Sequence, residues 1–179
     1  MPSADHGPTG LAVPVDRLDH VLGPAHARLV VVEYGDFECP LCVQAHPAAK
    51  ILRQRFEFRF VFRHFPIVEV HPHAILAAEA AEAAAAQGRF WEMHDRLFEH
   101  HRHLQPGDLQ RHAHELELDE TRFAAEMADH VYLQRVQEHI AGGRASHVHA
   151  TPTFFVDGVV VDTSFSLERL ADAIAARQP

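Results

Sequence analysis

Cysteine is scarce in this chain, with Cys39 and Cys42 the only two among 179 residues. Two thiols cannot form the disulfide framework of a small secreted domain, and a chain of this length buries enough core to need none. Lysine is scarcer still: Lys50 stands alone, and 16 basic residues, nearly all arginine, face 25 acidic ones for a net charge of -9. That balance repels a phosphate backbone and no basic stripe offsets it, so no nucleic-acid partner is expected. Apolar runs approaching the roughly 20 residues of a membrane helix are missing too, so no membrane partner is expected. The first thirty residues hold Pro2, Pro8, Pro14 and Pro24 with Asp5, Asp16 and Asp19, and lack the basic start and continuous apolar stretch of an export signal. The expected compartment is the cytoplasm. What remains is an ordinary globular mixture, 47% hydrophobic and 23% charged.

Hydrophobic patterning divides the chain. Residues 1–27 read as an irregular lead-in, because proline and glycine recur and no period holds. Leu29 to Tyr34 (LVVVEY) is a β-branched run interrupted only by Glu33, the pattern of a strand buried on both faces. From Pro40 the sequence turns helical, with proline in a first-turn position where its missing N–H costs nothing. A second strand is expected at Phe58 to Phe65, which completes a βαβ unit and an α/β class. Between residues 71 and 149 strand signals vanish. Helices are expected over 73–87, 90–102, 106–116, 119–128 and 130–142, with Gly88, Pro106-Gly107 and Gly142-Gly143 as breaks. Strand chemistry returns at Thr153 to Val156 and Val159 to Val161 around Asp157-Gly158, a strong hairpin signal. A last amphipathic helix starts after Ser166, a plausible cap. The expected division is a lead-in over 1–27, an α/β unit from 28–70 and 150–179, and a helical insertion over 71–149.

The chemistry is expected in the spacing C-P-L-C. A thiol is a nucleophile only as thiolate, and a helix N-terminus favours that anion through its free N–H groups and its dipole. Cys39 stands at that place and Cys42 lies about one turn further on, within reach for ring closure. The expected cycle is attack by Cys39 on a disulfide, then resolution of the mixed disulfide by Cys42. Pro40 and Leu41, lying between the sulphurs, are candidate substrate contacts. The competing reading is half a zinc site, in which His46 supplies a third ligand and a fourth is not evident, making the chain a zinc-binding or redox-sensing interaction module.

The segment VVVEYGDFECPLC with its helix, the long helical insertion, TPTFFVDG and a closing helix together resemble the DsbA-like branch of the thioredoxin superfamily, over residues 28 to 177. The resemblance implies a thioredoxin fold with an inserted all-helical subdomain. It implies that Thr151 and a cis Pro152 stand beside Cys39 and shape substrate docking, and that Glu33 is a buried acid beneath the dithiol that exchanges a proton with Cys42. It also fits Pro47 inside the dithiol helix. One departure is Leu41, where DsbA carries histidine; one thiolate-stabilising group is absent, so strong oxidase behaviour is not assumed.

The expected activity is therefore thiol–disulfide exchange with protein substrates and a redox partner. It uses no organic or metal cofactor, and its direction is open. The expected assembly is a monomer or homodimer. A glutathione-dependent transferase or isomerase of the same fold is the rival enzyme, and Cys42 argues against it. Of the seventeen histidines, those of HHRH at 100 to 103 with His112 and His114 are read as a solvated face of the insertion. His64, His71 and His73 are read as loop histidines capping helices. Phe90, Trp91, Met93, Leu97 and Phe98 are read as a packing face that docks the insertion on the sheet.

Overall fold

The computed structural model describes residues 10–164 and 166–178. Its elements are β1 (His20–Leu22), β2 (Val30–Gly35), α1 (Pro40–Arg55), β3 (Arg59–His64), α2 (Ala74–Ala85), α3 (Phe90–Glu99), α4 (Pro106–Glu115), α5 (Glu120–Ala128), α6 (Leu133–Ala145), β4 (Thr153–Val156), β5 (Val159–Val161) and α7 (Glu168–Ala175). The strands form one sheet in the order β1-β3-β2-β4-β5. This is the thioredoxin arrangement with five helices between β3 and β4. None of the described helices is long and apolar enough to cross a membrane.

Register decides what faces the dithiol. β2 runs parallel to β3, pairing Glu33 with Phe62, and antiparallel to β4, pairing Glu33 with Phe154. Alternation then sends Val31, Phe60, Phe62, Phe154 and Val156 into the larger core, which also holds both cysteines and the inner faces of α2, α3 and α7. Glu33 has the same parity as Val31 and points to that side. Val32, Tyr34, Val61 and Phe155 form the smaller core on the other face, under α6. Phe154 and Phe155 are both fully buried, so neither offers apolar surface to a substrate. Phe90, Met93, Leu97 and Phe98 are buried against the sheet as expected, with Phe98 edge-on to Phe62 at 5.9 Å.

Three expectations are corrected. The lead-in is not irregular throughout, since residues 20–22 pair antiparallel with β3. Behind them Arg63 is buried and pins the chain: it donates to both Asp19 carboxylate oxygens at 2.8 Å, to the carbonyls of Val13 and Pro14, and to the Tyr34 hydroxyl. Gly142-Gly143 does not end a helix but lies inside α6, because a Cβ at Gly143 would sit 2.6 Å from the Phe65 ring. There glycine serves close packing of α6 on the sheet. The histidines of the insertion are not all solvated; His112 is buried, accepting from Arg96 and donating to the His103 carbonyl.

The hairpin is as expected, with Asp157 and Gly158 both at positive φ. β5 is one of the sheet's two outer strands, and the lead-in meets it through a bridge between Gly10 and Val159 and a bond from Leu11 N–H to the Gly158 carbonyl at 2.8 Å.

Candidate active site

Cys39 is the residue before the first turn of α1, in extended conformation with φ -75° and ψ 121°, and Pro40 opens the helix. No side chain caps this end, so its free N–H groups face the cysteine. The backbone amides of Leu41 and Cys42 both stabilise the Cys39 sulphur. The Cys42 thiol hydrogen-bonds it as well, and this is the largest influence on its acidity. As a thiol, Cys39 donates to the Thr151 carbonyl at 3.4 Å. The Thr151 hydroxyl, buried and otherwise unpartnered, helps to hold the thiolate. These donors outweigh burial and pull the Cys39 pKa down to about 5.

Cys42 is the opposite case. It is fully buried, and burial drives its pKa well above the ordinary thiol value, with the hydrogen bond to Cys39 and the negative charge of Glu33 adding to the effect. Both cysteines are free in this structure. The helix end thus presents one activated sulphur and one held in reserve beneath it.

Glu33 lies under this pair. Burial pushes its pKa up to about 8, against the attraction of Arg53, and its Oε1 is buried without a hydrogen-bond partner. Arg53 stands eleven residues after Cys42, three turns along the same face of α1. A carboxyl of this kind accepts a proton near neutral pH, which is what deprotonation of Cys42 requires.

The Thr151–Pro152 bond is cis and abuts Cys39 through the Thr151 carbonyl. Beside it runs a groove of about 590 Å³ walled by Leu41, Gln44, Thr151, Pro152, Val161 and Leu167. Leu41 is 60% exposed at its rim, an apolar side chain held out between the two sulphurs. Pro40, next to it in the chain, is also exposed but does not line the groove. The helix runs on through Pro47 as expected.

His46 is not part of this constellation. Its ring stacks on Phe98 at 4.9 Å, and its Nε2 lies 3.6 Å from Asp95 on α3. Among the described residues, no group of three potential metal ligands includes either cysteine. The geometry of a Cys39–Cys42–His46 zinc site is therefore absent among them.

Two anchoring residues escaped the sequence. Asp36 is buried and accepts from the amides of Glu38 and Ile67 and from His71 Nδ1 at 2.7 Å, while Glu38 accepts from the amide and ring of His73. The Asp36 carbonyl in turn accepts from Cys39 N–H. His71 and His73 thus tie the β3–α2 loop to the turn that presents the dithiol. The only signal was the recurrence of acids at 36 and 38 and histidines at 71 and 73, which spacing alone cannot pair.

A thioredoxin family profile matches residues 16–176. The chain is 49% identical over 168 residues to the Na(+)/H(+) antiporter NhaA 1 of Salinispora arenicola, covering 93% of this chain and 26% of that protein. It is 44% identical over 154 residues to the Na(+)/H(+) antiporter NhaA of Herminiimonas arsenicoxydans, covering 84% and 24% respectively. The chain spans about a quarter of the length of these curated relatives. Among solved structures it resembles a thioredoxin-like oxidoreductase from Silicibacter pomeroyi, with TM-score 0.76 and 28% identity over 90% of this chain and 92% of that one. It also superposes on oxidised BdbD from Bacillus subtilis, with TM-score 0.76 and 24% identity over 87% and 90%. For alpha-DsbA1 of Wolbachia pipientis the TM-score is 0.75, with 19% identity over 93% of each chain.

Proposed function

The chain belongs to the thioredoxin family, and from that premise we propose that it exchanges disulfides with protein substrates through Cys39 and Cys42. The observation that carries the reading is the inequality of the two sulphurs: Cys39 is lowered to about 5, and Cys42 is buried and raised. In the reducing direction the Cys39 thiolate attacks a substrate disulfide, forming one S–S bond and expelling one substrate thiolate. Glu33 then takes the Cys42 proton, and Cys42 attacks Cys39 Sγ. That step releases the second substrate thiolate and leaves the Cys39–Cys42 disulfide. Run backward, the same steps donate a disulfide. Thr151 offers backbone groups to an extended substrate segment, and Leu41 in the groove and Pro40 beside it meet its side chains.

The proposed direction follows from thiolate stability. A stabilised Cys39 thiolate stabilises the reduced form and makes the couple more oxidising than thioredoxin, whose thiol titrates near about 7, and less so than DsbA, near about 3.5. Equilibration in graded glutathione buffers should place the potential between about -270 and about -120 mV. A value at or below that of thioredoxin would overturn the proposed direction. A value near the upper limit would move the proposed compartment out of the cytosol. Full turnover by Cys42→Ser would overturn the dithiol mechanism and favour the glutathione-dependent rival. The antiporter names belong to proteins about four times as long, so ion transport is not carried over; the matched quarter is read as a redox module.

A further inference from the structure

Away from the dithiol, two groups of three side chains bring potential metal-ligating atoms within 4.8 Å of one another: His46, His94 and Asp95, and His64, Glu82 and His139. The first is already occupied by a cation, because Lys50 Nζ lies 2.7 Å from Asp95 Oδ2. The second differs. Among the described residues, the side chains paired with Glu82 are His64, whose Nε2 is 2.8 Å from Oε1, and His20, whose Nε2 is 3.0 Å from both carboxylate oxygens. His64, Glu82 and His139 are all buried.

Three features point to a ligand. The Glu82 carboxylate is enclosed among imidazoles, with His64 Nε2 on one oxygen and His20 Nε2 on both. Two imidazole nitrogens of the group, His64 Nδ1 and His139 Nε2, are buried without any hydrogen-bond partner. A cavity of about 220 Å³ reaches His139 from outside, lined by Asp16, Asp19 and Glu138 as well as Arg63 and Arg135.

We propose that His64, Glu82 and His139 bind a divalent first-row ion of borderline softness, in the first instance Zn²⁺, with water in the fourth position and His20 bonded to the Glu82 carboxylate from outside. Imidazole donors select this class over Mg²⁺ and Ca²⁺, and one carboxylate leaves a net charge that suits tetrahedral coordination. Metal bonds of roughly 2.0–2.2 Å in a tetrahedron set ligand atoms about 3.3 Å apart. The His64–Glu82 separation of 2.8 Å needs to open by only a few tenths of an ångström, and the His139 donor lies within 4.8 Å of both. No net proton need be lost at His64, where the Nε2 proton moves to the free Nδ1 and leaves the Nε2 lone pair for the metal. His139 Nδ1 now accepts from His64 N–H at 3.1 Å, and ligation exchanges that bond for a metal bond or displaces the Nε2 proton. The ion would join β3, α2 and α6.

The test uses the chain with Cys39 and Cys42 oxidised to the disulfide, so that sulphur cannot ligate, and stripped with chelator. Zn²⁺ is titrated against a chromogenic competitor, and Co²⁺ binding is followed by visible absorption. The expected result is one tight equivalent, intense four-coordinate Co²⁺ bands and a raised melting temperature. Glu82→Gln and His139→Gln should each weaken binding by at least about tenfold, while His46→Asn leaves it unchanged. A wild-type chain with no tight equivalent, or with Co²⁺ bands of a six-coordinate aquo ion, overturns the proposal even if the variants fail to fold. So does binding lost in His46→Asn and retained in Glu82→Gln.

Discussion

Glu33 and Glu82 are both buried glutamates facing the larger core, yet they are opposites. Glu33, under the dithiol, has a carboxyl oxygen without a partner and a pKa pushed up to about 8. Glu82, between the sheet and the helices, accepts from two imidazoles and is held well below the usual carboxylate range. Burial by itself therefore decides neither charge nor role; the number of donors does. The under-satisfied acid is poised to move a proton, and the satisfied one locks two layers together.

The contrast can be broken in several ways. Its largest consequence lies above Glu33: Cys42→Ser should reduce turnover to background while a mixed disulfide with substrate accumulates at Cys39, seen by mass spectrometry of the alkylated protein. Next, Glu33→Gln should slow resolution of that mixed disulfide by about a hundredfold and flatten its pH dependence, which in the wild type follows a midpoint near about 8. If resolution by the variant keeps the wild-type pH profile, Glu33 is not the proton acceptor.

The same two positions should respond to pH and mutation with opposite signs in stability. Because the folded pKa of Glu33 lies above its unfolded value, its contribution is intact below about pH 4.5 and is lost as pH rises through about 8. Glu33→Gln should accordingly raise stability at pH 7 by about 3 kcal/mol, measured by urea unfolding. For Glu82 the folded pKa is depressed, so its contribution is present above the ordinary carboxylate value and fades in acid. In chelator, Glu82→Ala strands two imidazole donors and should cost about 2–4 kcal/mol at pH 7, leaving the dithiol potential unchanged. Should both variants destabilise equally, the contrast is wrong. Smaller again, Gly143→Ala forces the Phe65 ring aside and should cost about 1–3 kcal/mol. Smallest is Leu41→Ser, expected to raise KM by a few-fold, about 1 kcal/mol of lost apolar contact, with kcat unchanged.

The dithiol, the strands around it and the hairpin were legible in the sequence because their signals are local: cysteines three apart, a β-branched run and Asp157-Gly158. Glu33 was visible as a charge interrupting LVVVEY. Glu82 was not, since within an alanine-rich helix it looks like any solvated glutamate, and its partners His20 and His64 lie 62 and 18 residues away. Asp36 with His71 is hidden for the same reason, being 35 residues apart. Gly142-Gly143 misled in a different way. A glycine pair reads as a break when only the backbone is considered, whereas here the neighbour that needs the space is a phenylalanine on another layer. Long-range pairing of polar groups leaves no period to detect.

The lead-in that crosses β5 has a consequence for solubility. β5 is a run of three valines, two of them substantially exposed, and its outer edge would otherwise present unpaired backbone groups to a second molecule. The bridge at Gly10 and the Leu11–Gly158 bond occupy part of that edge. Gly10 and Leu11, just ahead of the Val13–Pro14 segment that Arg63 pins, thus act as a guard against edge-to-edge polymerisation. Chains cut after residue 12 should associate through β5 while their dithiol keeps its chemistry.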